Sequence, residues 1–277
     1  MTMGRFDGRN VIVTGASRGI GASIAERFAA EGSNVVITAR TLDQHDHLAG
    51  SLRETAERCA RFGSKVVPLV ADLASGDDRA RIVPESEVAL GGPIDILINN
   101  AAAGIHQLSA TMSLKHRRIM FEVNFHAPID LAQAVIPSMR ERGEGWIINL
   151  SSGGARLTDG PPFPHTAMGT TSAAYGATKA ALNRYTNALA VELHGTGVRI
   201  NTLEPDKPVA TEGAIAHLGD RIAADLFNPV EVIVEAAVLL AECGPDLTGR
   251  VGVDQALLDE LGIAVRSLDG LQLLARS

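Results

Sequence analysis

Two side chains in the second half of the sequence have the types and the spacing for proton transfer. Tyr175 and Lys179 stand four apart, so on a helix both lie on one face. A phenol with a pKa of about 10 is a poor proton donor or acceptor at neutral pH, and a neighbouring ammonium stabilises its anion. The pair therefore suits general acid/base work, although i, i+4 contacts are common on ordinary helix surfaces. The chain has only two tyrosines.

A second candidate lies near the start, in Thr14-Gly-Ala-Ser-Arg-Gly-Ile-Gly21. Gly15 permits a tight turn, Gly19 lets the backbone come close to a pyrophosphate, and Gly21 lets a following helix pack on the preceding strand. Phosphate would then sit at the helix N-terminus, where free N–H groups and the dipole favour an anion. A purely structural turn needs glycine as well, so the strand before it and the amphipathic helix after it carry much of the weight. His45-Asp-His47 has a spacing compatible with metal, but two histidines and one acid in a polar stretch read better as solvated surface, and no metal is expected. His165 in a Gly/Pro/Thr-rich loop and Trp146 ahead of a strand are read as unremarkable and as packing, respectively.

The elements that must position these groups follow from periodicity. Asn10 to Thr14, Asn34 to Thr38, Lys65 to Val70, Ile94 to Ile98, Trp146 to Leu150 and Val198 to Leu203 are short β-branched or apolar runs that read as buried strands. Helices are expected over Leu48 to Phe62, Ser113 to Arg142, Ala174 to His194 and Pro229 to Glu242. Between the first two strands Ile20, Ile24 and Phe28 form an apolar stripe that ends at Gly32, which completes a βαβ unit. The fold class is α/β: one doubly wound parallel sheet of about seven strands, covered by helices on both faces. Residues 1–254 form a single domain in this reading, and 255–277 an appended helical tail.

Composition narrows the function. The chain has 277 residues, 45 % hydrophobic, with 32 acidic against 25 basic residues and a net charge of −7, so nothing in it attracts a nucleic-acid backbone. No apolar run is long enough for a membrane helix, and the start, Met1-Thr-Met-Gly-Arg-Phe-Asp, lacks a signal-peptide core, so a cytoplasmic protein is expected. Cys59 and Cys243 are far apart and read as ordinary thiols.

Taken together, Thr-Gly-x-x-x-Gly-x-Gly and Tyr-x-x-x-Lys, in this order, resemble the signatures of the short-chain dehydrogenase/reductase family. The resemblance extends over roughly residues 6 to 254 and includes Asp72 after the third strand, Asn99-Asn-Ala after the fourth, Asn124, and Ser151-Ser after the fifth. It implies that Tyr175 is the general acid/base, that Lys179 lowers its pKa and binds the nicotinamide ribose, and that Ser152 hydrogen-bonds the reacting oxygen. Asn124 would hold a water that links Lys179 to solvent. Gly15, Ser17, Arg18, Gly19, Ile20 and Gly21 would bind the cofactor from the glycine turn. Asp72 with Leu73 would contact the adenine, Asn100 with Ala101 would pack along the cofactor, and Pro205, Val209 and Thr211 would border the nicotinamide. A homo-oligomer, dimer or tetramer, built on the helices Ser113 to Arg142 and Ala174 to His194, is implied as well.

The end of the second strand bears on the cofactor. Ala39 occupies the position where the family carries an acid for the ribose hydroxyls, Arg40 follows it, and Arg18 supplies a second guanidinium, so NADP(H) is expected, with NAD(H) as the alternative. Asp43 or Asp46 would be the acids to reach a ribose instead. Departures from the family pattern are Ala102 for a glycine, Asp206 for the glycine of Pro-Gly, Thr211 one position late, and 23 positions between Ser152 and Tyr175. The expected function is hydride transfer between a nicotinamide cofactor and a small carbonyl or secondary alcohol. The alternative is a non-catalytic nucleotide-binding scaffold or sensor of the same fold.

Overall fold

The computed structural model of the chain describes residues 4–43, 49–163, 171–218 and 226–274. Its strands are β1 (Asn10–Thr14), β2 (Asn34–Ala39), β3 (Val66–Val70), β4 (Ile96–Asn99), β5 (Gly145–Leu150), β6 (Val198–Glu204) and β7 (Val251–Val253). They make one sheet in the order β3-β2-β1-β4-β5-β6-β7, and every pairing is parallel. The helices are α1 (Gly19–Ala30), α2 (Leu52–Ala60), α3 (Gly76–Leu90), α4 (Leu114–Phe121), α5 (Ala127–Arg142), α6 (Ala173–Glu192), α7 (Glu212–Leu218), α8 (Val230–Leu240) and α9 (Asp254–Leu261).

The two-residue period of the strands divides the core between the faces. Val11, Val13, Val35, Ile37, Ile96, Ile98 and Ile148 pack toward α1, α2 and α8. Ile12, Val36, Leu97, Ile147 and Ile200 point the other way, toward α3, α5 and α6. Both faces are thereby closed, as a parallel sheet of continuous apolar strands requires. The order reverses between β1 and β4, which opens a crevice at their carboxyl ends.

The expected helix over Ser113 to Arg142 is two α-helices joined by a π turn, Glu122–His126. Helix α2 starts at Leu52, not Leu48, because Gly50 has φ +95° and Ser51 caps the first turn, its Oγ accepting from Glu54 N at 3.1 Å. Helices α3 and α7 and strand β7 stand in addition to the elements read from the sequence. The segment after residue 254 adds to the core: Leu257 and Leu258 are buried among α8 side chains, and buried Arg27 of α1 donates to Ser267 O at 3.2 Å and to Glu235 of α8 at 2.9 Å.

Candidate functional site

Thr14 ends β1 and anchors the crevice. Its Oγ1 accepts from the N–H groups of Asn100 and Ala101 at 3.0 and 3.1 Å, which fixes the chain leaving β4 against the chain leaving β1. The Asn100 amide returns the tie, donating to Thr14 O at 2.9 Å and Gly15 O at 3.1 Å. Gly15 has φ +67°, and a Cβ there would stand 2.7 Å from Ala101 Cα. Gly21 is the other obligatory position: a Cβ would lie 2.3 Å from Asn100 Nδ2 and 2.5 Å from Gly15 O. Gly19, with φ +56°, opens α1 and faces the side chain of Thr211, so the late threonine does reach the glycine turn. Ile20 turns inward and packs on the core.

Below this turn lies a cleft of about 310 Å³. Gly15, Ser17, Arg18, Arg40, Asp72, Leu73, Asn100 and Ala101 line it, together with Ala39 and Ala102. One wall therefore offers the backbone and the N-terminus of a twelve-residue helix, the donor set a pyrophosphate needs, and the far end carries two guanidiniums. Arg40 is exposed there, while Arg18 Nη2 donates to Gly50 O at 3.1 Å. Asp43 is held by Arg53 at 2.8 Å, and Asp46 lies outside the described residues. Asp72 accepts from Ala74 N at 3.0 Å, and the cap of α3 is Ser75 rather than Asp72.

The second group gathers at the carboxyl end of β5. Lys179, only 2 % exposed, donates from Nζ to Leu150 O at 2.6 Å, and burial lowers its pKa to about 8. Tyr175 stands one turn earlier on α6, its phenol pKa raised by burial and pulled back by a hydrogen bond with Ser152. Ser152 Oγ also accepts from Gly154 N at 3.2 Å, which holds the hydroxyl oxygen in place beside the phenol. The downward pull on Tyr175 comes from Ser152 and not from Lys179. Gly176 lets the Ser152 turn touch α6, since a Cβ there would meet Gly154 O at 2.3 Å.

Asn124 sits in the π turn and is buried. Its Oδ1 accepts from Ala103 N at 2.7 Å, and its Nδ2 donates to Ala103 O and Thr178 Oγ1, both at 3.0 Å. Thr178 in turn donates to Tyr175 O at 2.7 Å. Both amide protons of Asn124 are thus committed to holding the loop after β4 against α6, and π turns of this kind recur at functional sites. A further side chain that the sequence reading passed over is His106, whose ring lies 5.6 Å from the Tyr175 ring at 56°.

Pro205 follows β6, and Val209 is buried and bridges to Asn228. Asp206 donates its backbone N–H to Asp254 Oδ1 at 2.9 Å, and no described non-glycine residue has positive φ, so this position does not demand glycine. Both cysteines are buried, their thiols pushed up to about 12 for Cys59 and about 11 for Cys243. Among the described residues no cluster of His, Cys, Asp or Glu is arranged to hold a metal, and no helix is long and apolar enough to cross a membrane. His45, His47 and His165 lie outside the described residues.

Known proteins similar to this chain are dehydrogenases and reductases. The chain is 31 % identical over 262 residues to hydroxysteroid dehydrogenase-like protein 2 of Homo sapiens, which covers 94 % of this chain and 60 % of that protein. It is 33 % identical over 203 residues to ketoacyl reductase HetN of Nostoc sp., covering 73 % of this chain and 64 % of that one. The chain spans about half to three fifths of the length of the mammalian relatives it matches. Among solved structures, a short chain dehydrogenase from Mycobacterium thermoresistibile superposes with a TM-score of 0.80 at 28 % identity, over 98 % of this chain and 96 % of that one. One from Burkholderia cenocepacia, solved in complex with NADP, gives 0.74 at 27 % identity, over 90 % and 98 %. The short chain dehydrogenase family model matches residues 9–217, the stretch that carries both the glycine turn and the tyrosine–lysine helix, and the chain belongs to that family of oxidoreductases.

Proposed function

We propose that the protein interconverts a carbonyl and a secondary alcohol with NADP(H), and that Tyr175 moves the proton. The observation that carries this reading is the cluster at the end of β5, where Tyr175 is hydrogen-bonded to Ser152 one turn from buried Lys179. When bound, the dinucleotide supplies or accepts the hydride. In the reduction direction Tyr175 gives its Oη proton to the substrate oxygen, which Ser152 also hydrogen-bonds, and Lys179 stabilises the phenolate that remains. The same lysine is proposed to bind the nicotinamide ribose, Pro205, Val209 and Thr211 to border the nicotinamide, and Asn124 to position the loop and helix on which proton relay depends. The scaffold alternative draws on Asp206 at the nicotinamide end, and turnover separates it from the enzyme reading. Reduction of a panel of ketones by NADPH tests the reading, and a protein that binds the cofactor but turns over nothing on the panel would overturn it.

The preference for NADP(H) rests on Ala39, on exposed Arg40 at the cleft wall, on Arg18, and on the engagement of Asp43 by Arg53. NADP is also the ligand named for the Burkholderia cenocepacia relative. Charge-assisted hydrogen bonds contribute about 1.5–3 kcal/mol, so Arg40→Ala should weaken NADPH about 10- to 100-fold and leave NADH unchanged. Calorimetric titration of both cofactors checks this, and tighter NADH binding by the wild type would reverse the assignment.

Assembly follows from the face of α4 to α6. Phe125 stacks edge-on against Tyr185 across this face, while Phe121 and Val191 remain exposed, Val191 by 75 %. A homodimer or homotetramer that buries these side chains is expected. Sedimentation at micromolar concentration should show it, and Val191→Glu should weaken it. A monomeric wild type would contradict the assignment.

A further inference from the structure

The substrate of the proposed reaction has to meet Tyr175 among the connections that leave β4, β5 and β6. These connections bring large apolar side chains to the surface. Leu108, Leu157, Phe163 and Ile215 are each more than half exposed, and Leu157 is 97 % exposed. Single exposed leucines are ordinary on any protein. These four differ in that they lie on the three connections that leave one end of one sheet, the end that carries Tyr175, and apolar groups exposed at such an end are candidates for a binding surface.

Local contacts tie those segments to the phenol. Leu108 follows His106, whose ring packs beside Tyr175, and Gln107, whose N–H donates to Thr171 O at 3.0 Å ahead of α6. Leu157 follows the turn that touches α6 at Gly176, and Phe163 lies further along the same connection. Ile215 is on α7, whose first turn is capped by Thr211 Oγ1, accepting from Ala214 N at 3.3 Å, and Thr211 faces the glycine turn. The cation beside Leu157, Arg156, is engaged at 2.6 Å by Glu204, which is buried at the end of β6. That ion pair neutralises Arg156.

We infer that the site takes a carbonyl compound, or the matching secondary alcohol, with an elongated apolar body. Its oxygen lies at Tyr175 and Ser152, and its hydrocarbon lies across Leu108, Leu157 and Phe163. The inference rests on the oxidoreductase reading, and its test separates the two. Unbranched 2-alkanones of four to ten carbons are reduced with NADPH, and kcat/KM is expected to rise by about fourfold for each methylene laid on the apolar surface. Leu157→Asp should cut the ratio of 2-decanone to 2-butanone at least about tenfold. Val88→Asp, on the exposed face of α3, should leave that ratio as in the wild type.

A flat series in a protein that reduces 2-butanone overturns the substrate class and leaves the oxidoreductase reading standing. If no ketone is reduced, the oxidoreductase reading fails, and calorimetry of the same ketones decides the substrate class. Affinity that tightens with chain length and loses this trend in Leu157→Asp supports it, and equal or absent binding overturns it. A Leu157→Asp protein that sediments as a smaller species with an unchanged ketone ratio assigns the patch to contacts between copies of the chain and overturns the inference.

Discussion

Tyr175→Phe is expected to lower kcat for carbonyl reduction by about 10²- to 10⁴-fold, the range a positioned general acid contributes, while the Kd for NADPH stays unchanged. The substitution removes one oxygen and keeps the ring, so the contact with His106 and the backbone tie from Tyr175 O to Thr178 and on to Asn124 survive. Burial raises the phenol pKa, which keeps the proton on Oη at neutral pH and available to the substrate oxygen, and the Ser152 hydrogen bond moderates that rise. No other described side chain combines a labile proton with a hydrogen bond to Ser152. Single-turnover kinetics with NADPH in excess separates the chemical step from binding. A variant that keeps wild-type turnover would remove Tyr175 from the mechanism.

How far the site was legible in the sequence depends on how local each part is. The glycine turn and the Tyr175–Lys179 pair are short-range patterns, and the strands that carry them are apolar runs that periodicity finds: β1 begins and ends where the sequence reading put it. Helix α3 escaped because its first turn is Gly76, Asp77 and Asp78 and because Pro84 interrupts it. It stands on the Ser75 cap and on burial of Ile82, Val83 and Leu90, and burial is a tertiary fact. The π turn at Glu122–His126 leaves the helical spacing of apolar residues nearly intact, so its break was invisible. His106 and the Arg156–Glu204 pair were missed for a different reason. Their partners lie far along the chain, and only the return of the chain from β4, β5 and β6 to one end of the sheet brings them together. Asp206 marks a departure from the family pattern at the nicotinamide end, and the structure adds that its backbone N–H is tied to Asp254 and that its φ is not positive.

Lys179→Ala is expected to reduce both kcat and NADPH affinity, the rate by about 10²-fold or more, because one ammonium serves the phenolate and the ribose. The charge is costly to maintain where it sits. Burial lowers the pKa from 10.5 to about 8, and Nζ donates to Leu150 O at 2.6 Å. Below about pH 8 the lysine is charged in the folded protein, and above it the ammonium releases its proton and its support of the phenolate is lost. Carbonyl reduction should therefore decline on the alkaline side with a midpoint near 8. In Lys179→Arg, whose guanidinium stays charged, whatever activity survives should lack that limb. Linkage gives a second readout that needs no turnover. Between about pH 8 and 10.5 the unfolded chain binds more protons at this residue than the folded one, so stability rises with pH through that window. The contribution is complete above 10.5 and lost as pH falls through about 8. Urea unfolding of wild type and Lys179→Met at both ends of the window measures it: the wild type should gain on the variant as pH rises. Parallel stabilities, together with an alkaline limb shared by Lys179→Arg, would show that the buried ammonium is not the group that titrates.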